Sequence, residues 1–306
     1  MESASPRPAP VRWTPPAWLE QSLLPDRLFA RAYEALGDAR RARLKTVIAA
    51  QFALNPPRQT LARETIDQLP SGLTRRTTCI PRPFALLFTD ESLDAPALFL
   101  AALLPALSSR IAEVLVLRLG GKASVPDALL TACELAGQER VAALGPVQAE
   151  RLLLQCASSG QPGLVLCPDT ENLRRLFSRP RLREALDASP LCVSPLALPR
   201  RLGLWRDAPG QFDPEALALL YGPLVFDCGG VKPGSRGRAP ADSAFASFAA
   251  APRDLLLIPE ARCGAGQGGQ VGAARLVSEP HLGLWTWPEL TPGVFALTQV
   301  ALRSAS

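Results

Sequence analysis

The stretch Ile111–Thr170 constrains the fold most, because short apolar runs alternate in it with segments whose apolar residues recur at helical spacing. The predicted strands are Val114–Leu119, Val141–Leu144 and Leu164–Cys167, and the predicted helices are Pro126–Leu135 and Ala149–Cys156. Each predicted strand ends at a turn marked by Gly or Pro. Strand, helix, strand, helix, strand joined by tight turns is typical of a parallel α/β unit.

The carboxyl ends of these strands are the positions where such a sheet binds ligands. They carry Gly120-Gly121, then Gly145 to Gln148, then Pro168 to Thr170. We therefore expect a small molecule or a nucleotide to bind at this edge.

The rest of the chain predicts further elements on both sides of this unit. Strands are predicted at Pro83–Thr89, Leu224–Asp227 (ended by Cys228-Gly229-Gly230) and Leu255–Ile258, and helices at Pro25–Leu36, Ala39–Leu54, Arg63–Leu69, Ala95–Leu107, Glu171–Leu186 with a break at Pro180, Pro214–Tyr221, Ser243–Ala250 and Val294–Leu302. Residues 187–215 are rich in Pro and are predicted to form mainly loops. The fold class is therefore α/β, a Rossmann-like parallel sheet with a helical N-terminal arm and a reduced second α/β lobe. The predicted bounds are 1–75 for the arm, 76–190 for the Rossmann-like domain and 191–306 for the second lobe and C-terminal segment.

Composition excludes several classes of protein. With 47% hydrophobic and 20% charged residues, the chain of 306 residues is globular rather than disordered. The net charge of +5 comes mainly from Arg, and no basic block is interleaved with aromatic residues, so we expect no nucleic-acid binding. The longest apolar stretch, Ala95–Leu107, is broken by Pro96 and Pro105 and is too short to span a membrane. The sequence after Met1 is Pro-rich and polar, so no signal peptide is expected.

The cysteines indicate a reducing compartment. Their number is odd, their spacing is wide and no C-x-x-C occurs, so we expect neither a disulfide framework nor a zinc site. The seven positions are Cys79, Cys133, Cys156, Cys167, Cys192, Cys228 and Cys263. A cytoplasmic protein fits this pattern.

Three motifs resemble catalytic or binding signatures, and each has a structural alternative. Gly264–Gly269 contains G-x-G-x-x-G after a predicted strand, but no helix is predicted after it, so a flexible or substrate-covering loop is favoured over a phosphate loop. His281 is the single histidine, and a structural or surface role is favoured because no G-x-S-x-G segment supplies a nucleophile. Carboxylates at Asp90-Glu91 and Asp169-Thr170-Glu171 are favoured as helix caps over acid–base pairs.

Residues 81–172 resemble the first α/β domain of histidinol dehydrogenase, a family related in architecture to aldehyde dehydrogenases. The segment Ala128–Leu153 resembles that family's helix, its turn and its G-G-A-Q-A segment, and Leu164–Thr170 lies where the family has a strand ending in G-P-G-N. Leu224–Gly230, Asp254–Gly269 and Glu289–Ala301 follow in the family's order. The resemblance implies NAD as cofactor and a zinc-assisted oxidation of an amino alcohol. It places Gln148 near the cofactor, with Thr170 at the position of the family's asparagine and Asn172 two residues beyond. The cofactor-binding candidates are Gly120, Gly145, Gln148, Asp169, Thr170 and Asn172.

The sequence departs from this family at its catalytic residues. The Glu-His pair of an A-P-E-H-L segment is absent. The most similar segment, Asp207 to Gly210, lacks both residues. The family's zinc site needs two histidines, which this chain does not have, so no zinc is expected. We therefore predict a non-catalytic, regulatory or ligand-binding pseudoenzyme. The alternative is a divergent NAD-dependent oxidoreductase with a cysteine nucleophile, for which Cys228 and Cys263 are the candidates because both border Gly-rich turns.

The resemblance also implies an intertwined homodimer. Trp13 and Trp18 lie in the N-terminal arm, where they are predicted to pack against the body of the protein or a partner subunit, or to be incidental.

Overall fold

A computed structural model of the chain describes residues 13–56, 63–120, 125–232, 241–264, 271–279 and 281–304. It begins with α1 (Ala17–Glu20), α2 (Asp26–Leu36) and α3 (Asp38–Leu54). Two strands follow, β1 (Arg63–Gln68) and β2 (Leu73–Pro81), which pair as an antiparallel hairpin. The predicted helix over Arg63–Leu69 is therefore wrong. The side chains of this segment alternate between the two faces of a strand. Each residue of β1 pairs with a residue of β2, for example Ile66 with Arg76.

The first parallel sheet contains the α/β unit that the sequence predicts. Its elements are β3 (Phe84–Thr89), α4 (Pro96–Ser108), β4 (Glu113–Leu119), α5 (Asp127–Leu135), β5 (Val141–Leu144), α6 (Pro146–Ser158), β6 (Leu164–Pro168), α7 (Glu171–Phe177), α8 (Pro180–Asp187) and β7 (Cys192–Leu196). The strands lie in the order β5-β4-β3-β6-β7, and all neighbours are parallel. Every residue of β3, β5 and β6 is buried, as expected for a parallel sheet covered by helices on both faces.

A second, smaller parallel sheet follows. Its elements are β8 (Leu202–Arg206), α9 (Pro214–Tyr221), β9 (Phe226–Gly230), α10 (Asp242–Ala250), β10 (Leu255–Ile258), α11 (Ala261–Gly264) and β11 (Leu276–Ser278). The order is β11-β10-β8-β9. Two expectations are wrong here. Residues 187–215 contain β7 and β8 rather than mainly loops, and the strand predicted at Leu224–Asp227 begins at Phe226 and runs through Cys228 to Gly230.

Each parallel sheet has one topological switch point, the place where successive strands are added on opposite sides of the starting strand. In the first sheet it lies between β3 and β6, because β4 and β5 extend one side and β6 and β7 the other. In the second it lies between β8 and β10 by the same logic. A crevice outside the carboxyl ends of the strands at a switch point is the usual ligand position in open α/β sheets.

The chain ends in β12 (Ala296–Ser304), which pairs antiparallel with β2 to complete a three-stranded sheet in the order β1-β2-β12. The helix predicted at Val294–Leu302 is therefore wrong. Local spacing favoured a helix, but the nine residues of β12 each find a partner on β2, and this non-local pairing decides the conformation.

One continuous apolar core joins the two parallel sheets through α3, α4 and α9. Trp287 donates from Nε1 to the Leu98 carbonyl (3.1 Å), and buried Gln51 donates to the Trp285 carbonyl (2.7 Å). The N-terminal arm packs on the body, because buried Trp13 stacks on Phe84 with ring centroids 4.3 Å apart. Within the described ranges, no helix is both long and apolar enough to cross a bilayer.

Candidate functional site

The crevice at the first switch point is bridged by two buried side chains. Thr170, which follows β6, donates from Oγ1 to Asp90 Oδ2 (2.6 Å), which follows β3. The second Asp90 oxygen accepts from Ser92 N (3.0 Å), and Thr170 Oγ1 also accepts from Leu173 N (3.3 Å). Asp90 and Thr170 are therefore N-caps, as the sequence predicts, and their hydrogen bond joins the two strand ends across the crevice.

An arginine beside this crevice was not anticipated from the sequence. Arg118 lies in β4 on the face of Val114 and Val116, and its side chain is 2% exposed. It donates to the Asp90 carbonyl (2.5 Å) and to both carboxylate oxygens of Asp94 (2.6 and 3.2 Å). Burial raises the pKa of Asp94 and Arg118 opposes that rise. A charged residue inside the apolar run of β4 was the signal that sequence reasoning missed.

Three of the predicted cofactor-binding residues lie at the carboxyl ends of β4 and β5. Gly120 directly follows β4 with a φ of 136° and donates its N–H to the Leu144 carbonyl (2.9 Å). Gly145 is the N-cap of α6, and its N–H donates to Gln148 Oε1 (3.0 Å). The Gln148 carbonyl group therefore caps its own helix.

The other three follow β6, on the far side of β3. Asp169 is exposed and forms an ion pair with Arg174 Nε (3.0 Å), while Thr170 is buried in its bond to Asp90. Asn172 is exposed in the first turn of α7. The structure thus divides the six candidates into two groups, three on each side of β3.

These residues fit NAD only in part. The side-chain oxygens of Gln148 and Thr170, which the resemblance brings to the cofactor, already accept backbone N–H groups of their own helices. Exposed Asp169 and Asn172 remain at the edge, so the crevice suits a ligand that contacts exposed polar groups. The described residues at this edge do not form a complete dinucleotide clasp, and we assign no hydride transfer to them. NAD binding stays a prediction.

The carboxyl end of β8 carries a second ion-pair network. Asp207 accepts from Arg262 Nε and Nη2 (both 2.9 Å) and from Trp205 Nε1 (2.9 Å). Arg262 also donates to Asp242 (2.5 Å). The Arg262 guanidinium holds the pKa of Asp207 below its usual range, so this carboxylate stays charged.

The cysteine candidates differ from the other cysteines in exposure. Cys228 on β9 and Cys263 on α11 are exposed, whereas Cys133, Cys156 and Cys167 are buried. Burial raises the pKa of Cys156 and of Cys167 to about 12, so these thiols stay protonated. The structure does not test either candidate as a nucleophile.

His281 is exposed in the loop after β11, in agreement with a surface role. In the part of the chain that the structure describes, no three His, Cys, Asp or Glu side chains converge as metal ligands. The predicted absence of zinc stays a prediction. Most of the G-x-G-x-x-G segment, residues 265–269, lies outside the described residues.

Among solved structures, the chain is similar to histidinol dehydrogenase from Elizabethkingia anophelis, with a TM-score of 0.51 and 10% identity over 94% of this chain and 78% of that one. An indole-3-acetaldehyde dehydrogenase matches with a TM-score of 0.41 and 10% identity over 94% of this chain and 86% of that one. A NAD-dependent benzaldehyde dehydrogenase from Corynebacterium glutamicum matches with a TM-score of 0.35 and 14% identity over 63% of this chain and 43% of that one. No family profile and no curated protein sequence matches this chain. The similarity to histidinol dehydrogenase confirms the predicted Rossmann-like α/β fold.

Proposed function

We propose that this chain is a binding or regulatory protein for a small molecule or nucleotide, built on a dehydrogenase-like scaffold without dehydrogenase activity. The observation that carries the proposal is that the Asp207 carboxylate is already bound by other side chains and has a lowered pKa. Asp207 lies in the segment nearest to the missing Glu-His pair, and its carboxylate is held by Arg262 and Trp205. A general base needs a pKa near the working pH and access to a substrate proton. The lowered pKa of Asp207 supports a structural role instead.

The proposed ligand position is the carboxyl edge of the first sheet. Asp169 and Asn172 are exposed beside its switch point, and the backbone ends of β4 and β5 lie on the other side. This location is the general ligand position of parallel α/β sheets.

Calorimetric titration with NAD, AMP, ATP and free amino acids tests this proposal, together with a dehydrogenase assay that includes zinc. We expect saturable binding of at least one compound and no turnover. Asn172→Ala should weaken that binding about threefold to tenfold, since it removes one exposed hydrogen-bonding group. Gln299→Ala, which changes an exposed amide on β12, is the matched control. Turnover of an alcohol or aldehyde would exclude the non-catalytic assignment, and the absence of any binding would exclude the ligand site.

The second candidate function is an NAD-dependent oxidoreductase that uses Cys228 or Cys263. The observation in its favour is that both thiols are exposed, as a nucleophile must be. Turnover that is lost in Cys228→Ala or Cys263→Ala would establish it. Turnover that survives in both variants would exclude a cysteine mechanism.

We also propose that the protein forms a homodimer through the three-stranded antiparallel sheet. Within its three strands Ala296 is the one buried residue. Val300 (55%) and Leu302 (61%) are exposed on the face of the sheet that also carries Leu73, whereas Ile66 (59%) is exposed on the opposite face. A sheet of this size needs a covered apolar face for stability. Light scattering should give the mass of a dimer for the natural chain and of a monomer for the double variant Val300→Lys, Leu302→Lys. A natural chain that is monomeric at about 100 μM would exclude this interface.

For the compartment we propose the reducing cytoplasm. Support comes from seven cysteines that are all free thiols in the structure. Cell fractionation tests this, and recovery from an oxidising compartment would exclude it.

A further inference from the structure

The second switch point, between β8 and β10, opens on a cavity of about 520 Å³. Its walls come from the carboxyl ends of three neighbouring strands and from α3. Seven residues line it: Arg43, Gln211, Pro259, Glu260, Ala261, Glu279 and Leu282. A crevice of this kind is the general ligand position of an open α/β sheet.

The cations near this cavity are already neutralised. Arg43 of α3 forms an ion pair with Asp213, and Arg262, next to Ala261, is paired with Asp207 and Asp242. By contrast, the carboxylates of Glu260 and Glu279 have no hydrogen bond or ion pair to any other described residue. Among the described residues, the uncompensated charge that lines the cavity is therefore negative.

The wall of the cavity is partly apolar. Leu282 is 7% exposed and contributes to the main core, and Pro259 is buried at the end of β10. Glu279 is partly buried, and this burial raises the pKa of its carboxyl group, since water is partly excluded and no cation among the described residues replaces it.

We propose that this cavity binds an organic cation, a primary ammonium or guanidinium group on an apolar body. Glu279 and Glu260 accept hydrogen bonds from the cationic head, and Leu282 and Pro259 contact the apolar body. An anion would meet two unpaired carboxylates and is disfavoured. A bare metal ion is disfavoured too, because the described lining residues supply only two carboxylates, and the side-chain oxygen of Gln211 already accepts from the N–H groups of Asp207 and Ala208. The site is separate from the first crevice and does not depend on the function proposed for it.

Titration with n-pentylammonium, agmatine and the neutral n-pentanol tests the proposal, with ligand-observed NMR as the readout. We expect both cations to bind the natural chain at millimolar concentrations and at least about tenfold more tightly than pentanol, since one charge-assisted hydrogen bond accounts for about that factor. Glu279→Gln, which keeps the size of the side chain, should weaken binding of both cations about tenfold and leave pentanol unchanged. Glu260→Gln should weaken it less, because Glu260 is more exposed.

Glu139→Gln, at an exposed carboxylate outside the cavity, is the matched control and should bind both cations as the natural chain does. Circular dichroism verifies that each variant is folded, and Glu279→Asp provides a second variant that keeps the charge and should retain most of the affinity. Equal affinity for pentylammonium and pentanol would overturn the proposal, as would equal cation affinity in the natural chain and Glu279→Gln. The nucleotide titration on the same samples reports only on the first crevice, so the two proposals fail independently.

Discussion

The two parallel sheets have the same kind of topology, but the polar side chains at their switch points are paired differently. At the first, the Thr170 hydroxyl donates to Asp90, and Arg118 neutralises Asp94 beside them. At the second, Glu260 and Glu279 line a cavity without a cationic partner among the described residues. One strand-end crevice is bridged by internal hydrogen bonds, and the other is open.

The difference shows that two sheets with the same kind of strand order can arrange the polar groups at their switch points differently. Buried polar groups that hydrogen-bond to one another across a crevice join its strand ends, and removing one of them leaves its partner unsatisfied at a large energetic cost. Unpaired, partly buried carboxylates lower stability, and a bound cation would relieve that loss. The variants below test both halves of this comparison.

Arg118→Met should give the largest loss of stability. The substitution leaves the Asp94 carboxylate without its cation, and breaking a buried ion pair in this way costs about 4 kcal/mol. Without Arg118 the pKa of Asp94 rises further above its unfolded value. The loss is therefore complete at neutral pH and shrinks as the pH falls and Asp94 becomes protonated. Urea unfolding near pH 7 and pH 4 measures both effects.

The control for this variant is Arg75→Met. Arg75 pairs with Asp67 across β1 and β2, where both side chains are well exposed, so the change should cost less than about 1 kcal/mol. Similar losses in the two variants would contradict the stabilising role of the buried Arg118–Asp94 pair.

Gly222→Ala should be the next most damaging change, because Gly222 is where the second lobe contacts the first crevice. Its backbone has φ 54° and ψ −122°, and an added Cβ would lie 2.2 Å from the Asp94 carbonyl oxygen. We expect a loss of about 3 kcal/mol from backbone strain and this clash. Gly210→Ala, at φ 71° with no atom within 4 Å of the added Cβ, should cost only about 1 kcal/mol. Thermal unfolding of the pair measures the difference, and equal losses would show that the lobes do not meet tightly at Asp94.

Thr170→Val should destabilise the protein by about 2 kcal/mol, since it removes both the cap of α7 and the donor to Asp90. Thr170→Ser keeps the hydroxyl and should lose less than about 1 kcal/mol. Chemical denaturation compares them. A serine variant as unstable as the valine variant would show that keeping the hydroxyl does not preserve stability, and would contradict the role assigned to the hydrogen bond.

Sequence reasoning succeeded where short apolar runs form buried parallel strands. Three elements have the predicted bounds, the strands β5 and β10 and the helix α9. A strand buried on both faces appears in the sequence as a short apolar run, and a helix that begins at Pro and ends before Gly is marked by those residues. The capping roles of Asp90 and Thr170 were also predicted, since N-cap chemistry is local.

It failed mainly where distant segments decide the outcome. The segment β12 was predicted as a helix, but it pairs with β2, which joins Thr298 to Cys79, 219 positions away. The segment β1 was also predicted as a helix, and there the error is local, because β1 forms a hairpin with the next strand, β2. The partners of Arg118 and the convergence of Glu260 and Glu279 on one cavity follow from strand order, which sequence spacing does not reveal.

Glu279→Gln should have the smallest effect and the opposite sign, which sharpens the comparison of the two crevices. Burial raises the pKa of Glu279 above its unfolded value, so the charged form is disfavoured in the folded protein. The neutral glutamine should therefore raise the melting temperature slightly near pH 7. The gain should vanish as the pH falls below the unfolded pKa, where the natural side chain is itself protonated. Melting curves at several pH values measure this trend. A variant less stable than the natural chain near pH 7 would mean that the carboxylate has a cationic partner, and the charge at the second crevice would then be compensated within the protein, as Asp94 is at the first.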